Sequence, residues 1–192
     1  MTASLFRSFR VLACLVVLAM AGVARAEGDV PMARFVEGQH YTVLPAPVET
    51  PDDGTVEVME YFSYACPHCF TFDPMLDEWV EALPEDVSFR RTPAIFNRMY
   101  QWFAQVYYTA DVLGVLERTH TDFFQLLHEQ RQMPNSIDKL ASFYEDHGVA
   151  PAEFEKAFTS FGVRTLLQQA AARGQRYQQG GVSGVPTLIV DG

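Results

Sequence analysis

Cysteine is scarce in this chain: three in 192 residues, at positions 14, 66 and 69. No second cysteine pair accompanies Cys66 and Cys69. The histidines at 40, 120, 128 and 147 show no ligand spacing around them, which argues against zinc. A static structural disulfide is also disfavoured, because two cysteines one helical turn apart close too short a loop to stabilise much. Basic charge is short as well: 14 Lys and Arg face 24 Asp and Glu, for a net charge of −10. That balance argues against a nucleic-acid partner. The apolar run from Val11 to Ala24 falls short of the roughly 20 residues needed to span a membrane.

What residues 1–26 do have is the pattern of a secretory leader. Arg7 and Arg10 give a positive start, the apolar run follows, and Ala24-Arg25-Ala26 forms a small-residue cleavage site. Cys14 lies inside the apolar run and leaves with it. A lipoprotein anchor at Cys14 fits less well, because few apolar residues precede it and the run continues past it. The leader carries three arginines and no acid. The remaining 166 residues therefore balance 11 basic against 24 acidic side chains, a net of −13, and keep only Cys66 and Cys69. An exported chain with two cysteines on one helix points to redox chemistry rather than a disulfide framework. The length suits one domain, or one domain with an insertion.

The chemistry centres on Tyr61-Phe62-Ser63-Tyr64-Ala65-Cys66-Pro67-His68-Cys69-Phe70. The stretch reads as the end of a buried strand entering the first turn of a helix. Cys66 would meet the free N–H groups and positive dipole end of that helix, which favour a thiolate. Pro67 fits the first helical position, where its missing N–H costs nothing. His68 can add a donor or a positive charge. A stabilised thiolate favours the reduced form, so the Cys66–Cys69 disulfide would be a strong oxidant. Zinc, copper held by Cys66, His68 and Cys69, and a static disulfide are the rival readings of the motif.

The rest of the chain is legible as strands and helices. Residues 27–55 form an arm broken by Pro31, Pro45, Pro47 and Pro51, with Tyr41-Thr42-Val43-Leu44 as a short edge strand. Val56 to Tyr64 is a strand. Its Glu60 has two readings: a solvent-facing residue of an alternating strand, or a buried proton acceptor for Cys69 with a raised pKa. The helix from Pro67 to about Leu83 places Phe72, Met75, Leu76, Trp79, Val80 and Leu83 at helical spacing as core, with a kink at Pro74. Val87 to Thr92 is a second, parallel strand. That strand–helix–strand unit puts the cysteines at the carboxyl end of the first strand, where open α/β sheets place their sites.

From Asn97 to Phe161 the period is helical. One helix carries Phe103, Val106, Tyr107, Ala110 and Leu113. A second, after Thr119, carries Phe123, Phe124, Leu126 and Leu127. A third, capped by Asn135 or Ser136, ends at His147-Gly148, and a fourth opens at Pro151. Tyr100 and Trp102 are either core or the lining of a peptide groove. The single histidines of the block read as surface or cap residues. A long helix from Val163 to Gln179 precedes the strand Thr187 to Val190, and Pro186 is a natural place for a cis bond that sequence alone does not decide.

Phe62-Ser63 before Cys66-Pro67-His68-Cys69, then a helical block, then Gly184-Val185-Pro186-Thr187, resembles the DsbA family of periplasmic thiol:disulfide oxidoreductases. A Gly-x-x-Tyr-Thr pattern at Gly38 to Thr42 adds to the resemblance, which covers almost all of the chain after the leader. It implies an α/β, thioredoxin-like domain made of residues 27–96 and 163–192, with an all-helical insertion at 97–162. It implies that Cys66 is the exposed nucleophile, Cys69 the buried resolving thiol, and Val185–Pro186 a cis bond whose backbone pairs with an extended substrate. It also implies that Glu60 is buried beside the resolving cysteine with Arg91 as its basic partner. The chain stops at Asp191-Gly192, which reads as a turn into another strand, so the closing strand and helix of a thioredoxin-like sheet are expected to be missing.

The expectation is therefore a periplasmic, monomeric dithiol oxidase with no cofactor beyond the Cys66–Cys69 disulfide and no metal. Its substrates would be unfolded or partly folded exported proteins, and its reoxidase an inner-membrane, quinone-linked DsbB-type protein. A reductase or isomerase using the same motif is the enzymatic alternative. A metal- or peptide-binding module is the non-enzymatic one.

Overall fold

The computed structural model describes residues 35–50 and 54–192. The leader and its cleavage site lie outside the described residues. Residues 35–43 and 44–192 form two separate compact units. In the first, Gly38 takes a positive φ of 78°, its N–H donates to the Tyr41 carbonyl at 2.7 Å, and Glu37 bridges Tyr41. That tight local turn uses up the backbone of Tyr41, so the edge strand expected at 41–44 does not form.

The second unit is built on a three-stranded sheet in the order β2-β1-β3. Strand β1 (Val56–Phe62) is central, parallel to β2 (Val87–Pro93) and antiparallel to β3 (Thr187–Val190). Its β-branched and aromatic residues suit a strand covered on both sides, and every residue after Val56 is buried. The register sets Val58 opposite Phe89 and Glu60 opposite Arg91. Alternation then divides β1 between two cores. Met59 and Tyr61 pack with Val48, Ala94, Tyr177 and Ile189, while Phe62 joins the larger aromatic core of the helical block.

Between β1 and β2 runs α1 (Pro67–Glu81). It continues unbroken through Pro74, whose ring removes the bond that the Phe70 carbonyl would otherwise accept. It ends two residues before the expected Leu83, ahead of Pro84, which disfavours helical backbone in the residue before it. Of the apolar stripe expected as core, only Leu76 is buried. Met75 is 66% exposed and Trp79 40%, with Trp79 meeting Phe89 edge-on. Leu188 and Val190 of the edge strand β3 are also exposed, although their β1 partners Glu60 and Val58 are buried.

Four helices follow: α2 (Arg98–Val112), α3 (Leu116–His128), α4 (Ile137–Asp146) and α5 (Pro151–Phe158). Asn97 caps α2 and Ser136 caps α4, each side chain accepting N–H bonds from the first turn. Then α6 (Phe161–Gln179), capped by Ser160, runs back to the sheet. Trp102 is structural: its indole N–H donates to the Pro134 carbonyl at 2.9 Å and its ring meets Phe158. Tyr100 is half-buried against the Met59–Tyr61 core.

Helix α6 crosses close to β1 at Gly174. A Cβ there would sit 2.5 Å from the Tyr61 hydroxyl, and Tyr61 is itself buried. Alanine improves helix propensity by up to about 1 kcal/mol, but forcing the rings apart in a packed core costs about 1–3 kcal/mol. Gly174→Ala is expected to lower stability in urea unfolding. A neutral or stabilising result would show that Tyr61 can shift freely.

Candidate active site

The backbone turns from β1 into α1 over Ser63-Tyr64-Ala65. Ser63 organises that turn: its carbonyl accepts the Cys66 N–H at 3.0 Å and its hydroxyl accepts the Ala65 N–H at 3.2 Å. Cys66 is thereby delivered to the N-cap of α1 in extended conformation. Its sulfur accepts the Cys69 N–H at 3.4 Å, so it occupies the place where orphan N–H groups and the helix dipole favour negative charge. Pro67 takes the first helical position as expected, and both Pro67 and His68 are exposed.

Across from Cys66 lies the loop before β3. The Val185–Pro186 bond is cis, and the Cys66 thiol donates to the Val185 carbonyl at 3.4 Å. Cys66 and Cys69 are both free thiols. The exposure expected of Cys66 is not found, because the Val185 loop covers it: Cys66 is buried at 5% exposure and Cys69 at 0%, so the two differ in their hydrogen bonds more than in their burial. Burial pushes the Cys69 thiol well up, and its contact with Cys66 and the nearby Glu60 charge push it the same way.

Beneath the pair lies a cluster of buried charge. Glu60 is buried, which settles its two readings against a solvent-facing role. Arg91 Nε donates to Glu60 Oε2 at 2.9 Å, and Arg91 Nη2 reaches Asp73 Oδ1 at 3.1 Å and Asp77 Oδ1 at 2.6 Å. Burial pushes the Glu60 carboxyl up to about 7 despite the opposing pull of Arg91. Burial also works against the charge on Arg91, but its three carboxylates more than offset it and hold it firmly cationic. Asp73 extends the cluster, accepting from His120 Nε2 at 3.1 Å, and His120 Nδ1 meets the Tyr64 hydroxyl at 2.7 Å.

The structure thus brings Cys66, Pro67, His68, Cys69, Val185 and Pro186 around one point, with Glu60 behind Cys69. It adds Asp73, Tyr64, His120 and His128. His120 is buried, and His128 is half-buried with its Nε2 on the Tyr64 carbonyl, so neither is a surface or cap residue; His147 is a cap. The signal was available: His120, Phe124 and His128 recur every four residues along α3, on its apolar side. No group of three or more His, Cys, Asp or Glu among the described residues is arranged to hold a metal.

Comparison with known proteins places this geometry. The model of the DSBA-like thioredoxin domain matches residues 82–192. The thiol:disulfide interchange protein DsbA of Azotobacter vinelandii is 37% identical over 155 residues, covering 81% of this chain and 71% of the relative. The chain belongs to the DsbA family. The DsbA of Pseudomonas syringae pv. tomato is 33% identical over 186 residues, covering 97% of this chain and 84% of its own. The crystal structure of oxidoreductase DsbA from Xylella fastidiosa superposes with a TM-score of 0.78 at 38% identity, covering 82% of this chain and 85% of that one. The thioredoxin-like α/β fold expected from the DsbA resemblance is therefore present, and the chain is a protein disulfide oxidoreductase.

Glu60 gives a stability test with a defined sign. Unfolded, its carboxyl titrates near 4.5; folded, near 7. Between those values the folded DsbA-family chain holds a proton that the unfolded chain does not. The contribution of Glu60 to stability is therefore full below about pH 4.5, falls as pH rises to about 7, and levels off, a loss of up to about 3 kcal/mol. Glu60→Gln removes the slope. Urea unfolding across that range should show the variant gaining on wild type as pH rises; parallel curves would contradict the raised carboxyl.

Proposed function

We propose that this chain is an exported, periplasmic dithiol oxidase that donates its Cys66–Cys69 disulfide to unfolded or partly folded exported proteins. The observation that carries the reading is the unequal pair. Both sulfurs are buried, but one lies at a helix N-cap facing the Val185 carbonyl, and the other lies a turn deeper with its thiol pushed up.

In the proposed reaction a substrate thiolate attacks Cys66 Sγ. The Cys66–Cys69 bond breaks and its electron pair leaves on Cys69, which takes up a proton. A second substrate thiolate attacks the substrate sulfur of the mixed disulfide, and Cys66 leaves as a thiolate. The substrate loses two electrons and the pair gains them. The N-cap position supports Cys66 as both target and leaving group, because the charge it develops is stabilised where it forms. The burial of Cys69 supports its role as the resolving thiol.

Glu60 is the proposed proton-transfer group for Cys69. Its pKa near 7 and its electrostatic coupling to that thiol support this. Val185 and Pro186 are proposed to receive substrate, the Val185 backbone pairing with an extended segment. The functional unit is proposed to be a thioredoxin-like domain from residues 27–96 and 163–192 carrying the helical insertion 97–162. It acts as a monomer, with no cofactor beyond the cysteine pair, and is reoxidised by an inner-membrane, quinone-linked DsbB-type protein. The sharing of one sheet by β1, β2 and β3 supports the discontinuous domain.

Two variants test the reading. Cys66→Ala should abolish oxidation of a reduced dithiol peptide, and retained turnover would overturn the assignment. His68→Pro alters an exposed position two residues after Cys66 and removes the imidazole. Its equilibrium with glutathione should move about tenfold toward the protein disulfide, making it a weaker oxidant. An unchanged equilibrium would remove His68 from the account and leave Cys66 poised by the helix alone.

A further inference from the structure

One strip of α3 lies against the redox motif from the outside. His120, Phe124 and His128 are spaced four apart and so share a face of the helix. Phe124, at the centre, meets the rings of Phe62, Tyr64 and Phe70. These residues flank the cysteines on both sides in sequence.

The two histidines hold Tyr64 at opposite ends. Asp73, committed to Arg91 as a carboxylate, accepts from His120 Nε2. Burial lowers the pKa of His120 and keeps the ring neutral. Its Nδ1 then carries no proton and accepts from the Tyr64 hydroxyl at 2.7 Å. At the other end the Tyr64 carbonyl accepts from His128 Nε2 at 2.8 Å. The His128 ring also stacks on Phe70, the residue after Cys69, at 5.1 Å between centroids and 12° between planes. His128 therefore touches the chain just before Cys66 and just after Cys69.

Resting on the dithiol-oxidase reading, we propose that His128 is a positioning residue for Cys66, and that its N–H bond to the Tyr64 carbonyl sets how strongly the pair oxidises. Cys66 reaches the N-cap only because the Ser63–Ala65 turn is held in one shape. Within that turn, Ser63 supplies local bonds. The Tyr64 side chain is anchored in the helical block by His120 and Phe124, and the Tyr64 carbonyl is the turn's backbone tie to that block. Releasing that tie lets the turn relax and the sulfur drift from the Cys69 N–H and the helix end. The thiolate is then less stabilised, and the disulfide becomes a weaker oxidant.

A pair of substitutions separates this from packing. His128→Phe keeps a flat ring to stack on Phe70 but removes the donor. His128→Gln loses the ring but keeps an N–H. The probes are the equilibrium with glutathione and the rate at which iodoacetamide alkylates Cys66 in the reduced protein, with urea unfolding alongside. The Phe variant should shift the equilibrium about fivefold or more toward the disulfide and slow Cys66 alkylation severalfold, and the Gln variant should restore both to within about twofold. A Phe variant with wild-type values, or a Gln variant no better than Phe, overturns the proposal whatever happens to stability. Failure of the underlying reading looks different: the wild-type disulfide would not oxidise a dithiol peptide at all. The alkylation rates would still decide whether His128 positions the thiol.

Discussion

A guanidinium buried under an active-site helix must be matched by negative charge, and Arg91 is matched three times over. Glu60 comes from the central strand, Asp73 and Asp77 from α1, and Arg91 itself from β2. One cation thus ties together all three elements of the strand–helix–strand unit. Removing one partner of a buried pair costs about 3–5 kcal/mol, because the survivor is left uncompensated. The cluster is for that reason better understood as a constraint on geometry than as a source of net stability. It fixes the side of α1 that faces the sheet, and with it the direction in which Cys66 and Cys69 project.

The same constraint explains why Glu60 is not an ordinary half of a salt bridge. Arg91 divides its charge among three carboxylates, so no one of them receives it whole. Asp77 is partly exposed and Asp73 has His120 as a second donor. Glu60 is the most enclosed, and burial wins there over attraction, leaving the carboxyl near 7. A carboxyl balanced in that way can hold or release a proton in the neutral range, which a fully paired one cannot.

The parts of the molecule legible in the sequence are those fixed by local chemistry. Pro67 after Cys66 and the capping residues Asn97 and Ser136 each announce a helix start through backbone bonding that needs no distant partner. The Val56–Tyr64 run announces a buried strand through its β-branched and aromatic side chains, and the structure ends that strand at Phe62. What misled was anything whose environment is supplied from elsewhere in the chain. Met75 and Trp79 have helical spacing but stay exposed among the described residues, Trp79 meeting only the edge of the sheet at Phe89. Tyr41 has strand propensity but is captured by the positive-φ turn at Gly38. His120 and His128 looked like surface residues because their partners, Asp73 and Tyr64, lie roughly fifty to sixty residues earlier. The candidate site divides the same way: the cysteine motif is contiguous and visible, while the residues that hold it come from α3 and appear only when the chain is folded.

The asymmetry of the cysteine pair follows from where the motif sits on the helix. Four backbone N–H groups at a helix start have no helical partner, and a sulfur at the N-cap can take one of them, as Cys66 takes that of Cys69. One turn later the helix N–H groups are committed within the helix, so Cys69 has only the Ser63 backbone to oppose its burial in the aromatic core, and burial wins. A two-residue spacer is what puts one sulfur in each environment. On the proposed mechanism, charge developing on Cys66 falls at the helix end, while charge developing on Cys69 falls in a buried site near Glu60, where the thiol is pushed up. On the proposed oxidase reading, the pair oxidises because its reduced end state is favoured, and the raised Cys69 thiol, which holds its proton, is the part of that end state visible in the fold.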